Sequence, residues 1–462
     1  MRESSSYLPR VTRRSFFQVG MAAVSGFYLE PMVRPLNVFA NEKTKLRGTA
    51  DFCIFVFLNG GASQLDTFDV KEGRWTPHDF DIRTIKPGVV MPYGLFPNLS
   101  RCIDQLAVVR SIEAWETAHA RAQYYLQVGH SFSAPRRKEM PAVGAVIASE
   151  FQSRRKETDF LPPFVAMNFN NSNAGLIREG CLPSQYGPLS LDMQQGTEFV
   201  VPGNEKLTFD RRLRLLEQLN PTRPGVAVDL KAIREFEAFR KSAVGMMVSP
   251  RIAEALVLPE PDRKRYGISP LGDACILARN LVRFDAGTRF ILISHNGWDL
   301  HANMFDVKAK VNHYTLCREL DTALSALLSD LAQTRSADGK ALLERTFVVS
   351  VGEFGRTGGA LTVNKGRDHN RYASIGLFAG AGVMGGRILG ATDSSGEKVV
   401  ESGWEEKRSI YTEDVLATIY SQMGIDWNKK ITNTPSGRDF EYLEPASGTE
   451  FVRFREISSL FA

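Results

Sequence analysis

Cysteine is scarce in this 462-residue sequence: there are five, Cys53, Cys102, Cys181, Cys275 and Cys317, with no Cys-x-x-Cys. An odd, widely spaced set argues against a disulfide framework and against a thiolate zinc site. Long apolar runs are missing as well. None reaches the roughly 20 residues a helix needs to cross a bilayer, so no stable membrane span is expected. No run of Lys and Arg is interleaved with aromatics, which removes nucleic acid as a partner. Internal repeats and long low-complexity segments are also lacking. What remains is ordinary globular composition, 43% apolar and 24% charged, which excludes a mostly disordered chain. The net charge is +5, and residues 1–40 supply three of it with five Arg and two Glu. The basic balance therefore says little about the partners of the other 422 residues.

Those first 40 residues read as an address. Thr12-Arg13-Arg14-Ser15-Phe16-Phe17 opens a charge-free stretch to Leu29, and Val38-Phe39-Ala40 has the small residues of a cleavage site. This is the layout of an export signal. The paired Arg resembles the twin-arginine type, which a receptor reads. The expectation is a bacterial protein, periplasmic or in the cell envelope, exported by the twin-arginine machinery. Gly20, Gly26, Pro31 and Pro35 oppose the alternative, an amphipathic first helix.

Beyond residue 40, β-branched and aromatic runs predict buried strands at Phe52 to Leu58, Ala107 to Ile112, Phe164 to Met167, Phe290 to Ser294, Phe347 to Val351 and Ile375 to Ala379. Near-continuous apolar runs suit a mostly parallel sheet covered on both faces. Helical periodicity separates them, most clearly in Leu316, Leu320, Leu324, Leu327 and Leu331. A second helix is expected over Glu413 to Met423, with Thr412 as N-cap. Strands alternating with helices give a layered α/β architecture. Residues 170–270, rich in Asn, Pro, Gly, Arg and Gln, read as an insertion or cap with a charged helix around Asp229 to Arg240. Arg211, Arg212 and Arg214 belong to that stretch, on what reads as a solvated charged face.

In such sheets the site forms where strands end. Asn59-Gly60-Gly61-Ala62-Ser63-Gln64-Leu65-Asp66 follows the first strand. The glycines allow close backbone approach, and Asn59, Ser63 and Asp66 offer oxygen atoms. His295-Asn296-Gly297-Trp298-Asp299-Leu300-His301 follows another. Asp299 and His301 are two apart, so an extended segment points both to one side. Carboxylate plus imidazole suits a divalent metal. Glu353 follows a third strand, where a carboxylate must be paired, hydrogen-bonded or on a metal. Arg356 and the Arg367-Asp368-His369 run come after it. The second strand leads to Glu116-Thr117-Ala118-His119-Ala120-Arg121. There His119 and Arg121 open a helix whose N-terminus would favour a phosphate or sulfate.

Together, Asn59 to Asp69, Gly297 to His301, Gly352 to Thr357, Gly366 to His369 and Ala379 to Gly386 with Gly390 to Asp393 resemble the domain-of-unknown-function family 1501. The resemblance spans Asp51 to Asp426. That family is similar to the alkaline phosphatase and sulfatase superfamily. The resemblance implies an α/β three-layer sandwich over residues 41–462, its mostly parallel sheet covered by helices on both faces. It also implies divalent metal (zinc, manganese or calcium) at the sheet's carboxyl edge. The activity implied is hydrolysis of an anionic phosphate or sulfate ester, such as a sulfated or phosphorylated glycan. On these positions Asn59, Asp66, Asp299, His301, Glu353, Asp368 and His369 would hold metal. Ser63, Arg121 and Arg356 would hold the substrate, with Thr117 and His119 catalytic. The chain departs from the superfamily in having Asn59 where a metal-binding Asp is usual, and in lacking the sulfatase Cys-x-Pro-Ser-Arg motif. The nucleophile stays open between Thr117, His119, Ser63 and water. A non-catalytic envelope binding or assembly protein on the same fold is the alternative.

Overall fold

A computed structural model describes residues 45–194, 206–219, 240–432, 434–444 and 452–461. The export signal expected over 1–40 lies outside them, as does the helix expected at Asp229 to Arg240 except for Arg240 itself.

Nine strands form the main sheet: β1 (Phe52–Asn59), β2 (Leu106–Glu113), β3 (Phe164–Met167), β4 (Leu189–Leu191), β5 (Phe290–Asn296), β6 (Thr346–Val351), β7 (Ser374–Ala379), β8 (Arg387–Leu389) and β9 (Ile410–Tyr411). Their order is β8-β2-β7-β6-β1-β5-β3-β4, with β9 also on β2. Only β7 runs antiparallel to its neighbours; every other pairing is parallel. All six predicted strands are present, within two residues at each end. The short strands β4, β8 and β9 carry too few residues for a pattern to show in sequence.

Alternation explains the layers. Ile54, Val56, Leu58, Ile291, Ile293 and Val348 face one apolar core, and Cys53, Phe55, Phe57, Leu292, Phe347 and Val349 face the other. Both faces are buried, which is why the strands read as continuous apolar runs. The first core is closed by α3 (Pro270–Phe284) and α4 (His313–Gln333). The second is closed by α1 (His119–Val128), α2 (Val143–Glu150) and α5 (Thr412–Gln422). The result is a mixed α/β fold with a central, mostly parallel sheet and helices on both faces, as expected.

Helix starts follow local chemistry. Ser269 and Asn312 cap α3 and α4 by accepting the Gly272 and Thr315 N–H at 3.0 Å each. For α5 the cap differs from the one read in sequence. Tyr411 holds that position, because the Asp414 carboxylate reaches back to the Tyr411 N–H at 2.8 Å. Within 170–270, β4 extends the sheet edge, and Arg211, Arg212 and Arg214 lie exposed on helix Lys206–Leu219.

Candidate metal centre

Parallel pairing places the loops after β1, β5 and β6 at one edge, with Asn59 in register with Asn296. The loop after β2 exits the same edge and opens α1 with His119. A two-residue hairpin, Gly355–Arg356 against His369–Asn370, folds the later loop back so that His369 pairs Arg356. Four loops far apart in sequence therefore meet.

Where they meet, one ligand atom from each of His119, Asp299, His301 and His369 lies within 4.8 Å of all the others. His119 Nε2 and His301 Nε2 are each 3.0 Å from Asp299 Oδ1, and His369 Nε2 is 3.5 Å from it. The opposite nitrogen of every ring has its own acceptor. His119 Nδ1 meets Glu353 Oε1 at 2.7 Å, His301 Nδ1 meets Asp368 Oδ1 at 3.0 Å, and His369 Nδ1 meets the Thr117 carbonyl at 2.6 Å. In the neutral tautomer with Nδ1–H, each ring keeps an Nε2 lone pair for a metal. His301 Nε2 and His369 Nε2 lie 2.8 Å apart, a distance at which the two nitrogens share a proton or give their lone pairs to one cation. His119 Nε2 is buried and lies at ion-pair distance from Asp299, without the alignment of a hydrogen bond. This donor set, three imidazole nitrogens and a carboxylate with each imidazole oriented from behind, fits a zinc-type divalent ion.

Charge is shared tightly. Burial alone would lower the His119 pKa, but the Asp299 and Glu353 carboxylates outweigh it and raise it to about 9. Burial pushes the Asp299 carboxyl up, yet His119, His369 and Arg356 together hold it well below the usual carboxylate range.

The other expected residues fall into two groups. Glu353 is fully buried one layer behind His119, accepting from the Gly60 N–H with both oxygens at 3.1 Å and from Gln123 Nε2 at 3.1 Å. Asp368 stands behind His301. Asn59 is spent on an amide chain: its side-chain oxygen accepts from Gln123 at 2.7 Å and its NH2 donates to Asn296 at 2.6 Å. Arg356 is 2% exposed and donates to Asp299 Oδ1 at 2.7 Å, to the Gly61 carbonyl at 2.9 Å and to the Arg367 carbonyl at 3.1 Å. Its fork is taken up by the chain, so it anchors Asp299 instead of facing outward to a substrate. Ser63 and Asp66 stand apart from the histidines, in a buried pair with Arg367. Thr117 and Arg121 are exposed beside His119.

Gly60 is a backbone position that geometry dictates. Its φ is +107°, and a Cβ there would lie 2.5 Å from the Asp299 nitrogen. Only glycine lets the first loop pass under the ligand loop.

Sequence reasoning missed the support of the His119 loop. Trp115 Nε1 donates to both Glu413 oxygens at 2.9 and 3.0 Å, Tyr125 donates its hydroxyl to the same carboxyl, and the Trp115 ring stacks on Tyr411 at 4.3 Å. An acidic residue inside a helix pattern gives no sign of this. Burial pushes the Glu413 carboxyl up to about 8, against the hydrogen bonds from Tyr125 and Trp115. The unfolded chain thus loses this proton first, and the group lowers stability progressively from about pH 4.5 to pH 8. Glu413→Gln keeps an acceptor for Trp115 and removes the titration. The melting temperature of the variant relative to wild type is expected to rise across that window; a flat difference would refute the assignment.

The fold and site thus define an α/β protein with a histidine–aspartate centre at the carboxyl edge of its sheet. A family model described as "Protein of unknown function (DUF1501)" matches residues 50–450, and the chain belongs to that family. The comparison with curated proteins gave no match. Among solved structures the chain is similar to a protein in the alkaline phosphatase superfamily from Vibrio parahaemolyticus, at 10% identity over 83% of this chain and 69% of that one, TM-score 0.38. It is similar to the PsFucS1 sulfatase from Pseudoalteromonas sp., at 13% identity over 90% and 73%, TM-score 0.36. A third is the lipoteichoic acid synthase LtaP from Listeria monocytogenes, at 10% identity over 83% and 74%, TM-score 0.38.

Proposed function

We propose that the chain is an exported, metal-dependent hydrolase of phosphate or sulfate esters. The observation that carries this is the triple orientation of His119, His301 and His369, each held through Nδ1 so that three Nε2 atoms converge on Asp299. His119, Asp299, His301 and His369 would hold the ion. Three imidazoles suit zinc or manganese better than calcium, which prefers six to eight oxygen ligands. Such an ion, when bound, polarises an ester oxygen and lowers the pKa of a nucleophile.

The chain's own residues supply the rest. Glu353, Asp368 and the Thr117 carbonyl hold the ring protons, and Arg356 fixes Asp299. The start of α1 and the exposed Arg121 present positive charge to an anionic ester such as a sulfated or phosphorylated glycan. Of the side-chain nucleophiles, Ser63 is locked in the Asp66–Arg367 pair and His119 belongs to the cluster. Thr117 is exposed and adjoins His369, so we assign it the attack. The absent sulfatase cysteine motif is consistent with a hydroxyl in that role. Residues 1–40 would deliver the folded protein outside the cytoplasm.

Elemental analysis of the purified protein tests this first. About one equivalent of metal is expected, lost in Asp299→Ala and in His369→Ala with the fold retained by circular dichroism. The loaded protein should hydrolyse aryl phosphate or aryl sulfate, and Thr117→Ala should abolish turnover while keeping the metal. No metal after reconstitution would sink the centre. Metal without turnover of any ester would leave an envelope binding protein.

A further inference from the structure

Two loops rise from the metal centre, and their tips are chemically unlike the rest of the surface. One runs from His301 to α4, closed by the His313 N–H on the Met304 carbonyl at 2.8 Å. The other runs from Arg356 to Asp368, with a turn closed by the Thr362 N–H on the Gly366 carbonyl at 3.0 Å. They are tied together by the Asn303 N–H on the Asn364 carbonyl and the Met304 N–H on the Lys365 carbonyl, both 2.9 Å, beside the Ala302–Lys365 bridge.

On these joined tips Val363 is 98% exposed, Val307 72% and Val311 47%. Lys308, Lys310 and Lys365 are exposed among them, and their ammonium groups have no partner among the described residues. Two exposed carboxylates share these tips, Asp306, which accepts the Lys308 N–H at 2.9 Å, and Asp368, 3.0 Å from His301 Nδ1, and the three lysines outnumber them. Single exposed apolar residues need no explanation. Three valines alternating with three free lysines on two tethered loop tips form one surface of mixed character.

We propose that this surface docks the protein onto an anionic lipid bilayer. Charge complementarity decides the occupant. A soluble sulfated or phosphorylated polymer would satisfy the lysines but give the valines nothing. A lipid surface satisfies both, with valines in the acyl boundary and lysines among anionic headgroups, each lysine contributing about fivefold to partitioning. No helix among the described residues is long and apolar enough to cross a membrane, so the contact is peripheral. Docking brings His301 and Asp368, at the loop roots, next to the headgroup layer. The inference is independent of the hydrolase reading.

Vesicle co-sedimentation tests it. The body from Leu46 to Ala462 is a compact unit with its own sheet and both cores, so it is used without the N-terminal segment. It should bind vesicles of mixed phosphatidylcholine and phosphatidylglycerol and not phosphatidylcholine alone. Val307→Ser with Val363→Ser should weaken binding at least tenfold. Lys308→Gln, Lys310→Gln and Lys365→Gln together should weaken it about a hundredfold. Metal content and circular dichroism should stay unchanged, and Val363→Thr, which keeps the shape, provides a milder repeat. Equal binding to neutral and anionic vesicles would overturn the proposal. So would valine variants that bind like wild type, which would point to a soluble polyanion.

Discussion

Metal affinity of the metal-free protein is expected to rise about tenfold per pH unit from pH 6 to about pH 9, then level off. The reason is a single proton. Before metal enters, His119 sits between Asp299 and Glu353 and keeps its proton up to about pH 9. A metal needs the Nε2 lone pair, so it must displace that proton, and the competition costs about a hundredfold in affinity at pH 7. Calorimetry in buffers of different ionisation enthalpy should find close to one proton released per ion at pH 7. Zero release would show that His119 is neutral or outside the ligand set. The sign for stability runs opposite. A base with a raised folded pKa stabilises the fold below its unfolded value of 6.5, and that contribution disappears as pH rises through about 9. Metal-free protein should therefore lose stability over the range in which it gains metal affinity.

Arg367→Ala is expected to cost about 3–5 kcal/mol of stability, measured by urea unfolding of the metal-free protein. Arg367 and Asp66 are each 1% exposed and joined by two contacts, Nε to Oδ2 at 2.5 Å and Nη2 to Oδ1 at 3.2 Å. Arg367 also donates to the Thr357 and Gly359 carbonyls at 2.9 and 2.8 Å. The pair sews the loop after β1 to the loop that carries His369. Removing the Arg leaves a buried carboxylate with only Ser63 as partner, which explains the size of the effect. Asp66→Ala strands the guanidinium in the same way. The double variant should cost clearly less than the two single costs added, because it leaves no unpaired charge. Strict additivity would mean that the two charges do not act as a pair.

The contrast between Asp299 and Asp66 shows where sequence reading stops. Both are acidic residues in polar loops after strands, and both were expected to hold metal. Asp299 reaches the histidines because its loop leaves β5 beside β1 and over Gly60. Asp66 meets Arg367, some 300 residues away. No local pattern separates the two, since the difference lies in which partner the topology delivers. His119 makes the same point from the other side. Sequence placed it beside the site with an open role; its position in the histidine–aspartate cluster appears only once the β2 exit is set against the His369 hairpin.

Sequence by itself determined the layered architecture and the family. Burial on both faces forces continuous apolar strands, and a leucine stripe forces a core-facing helix, so both leave local signatures. It also determined that polar chemistry gathers at strand ends, because loops there are the one place where buried strands release their polar neighbours. Tertiary structure alone decided which of those polar residues touch. Strand order put β5 and β6 on either side of β1, the short hairpin turned His369 inward, and Glu413 fixed the approach of His119 through Trp115. Those are long-range pairings, and sequence spacing carries no trace of them.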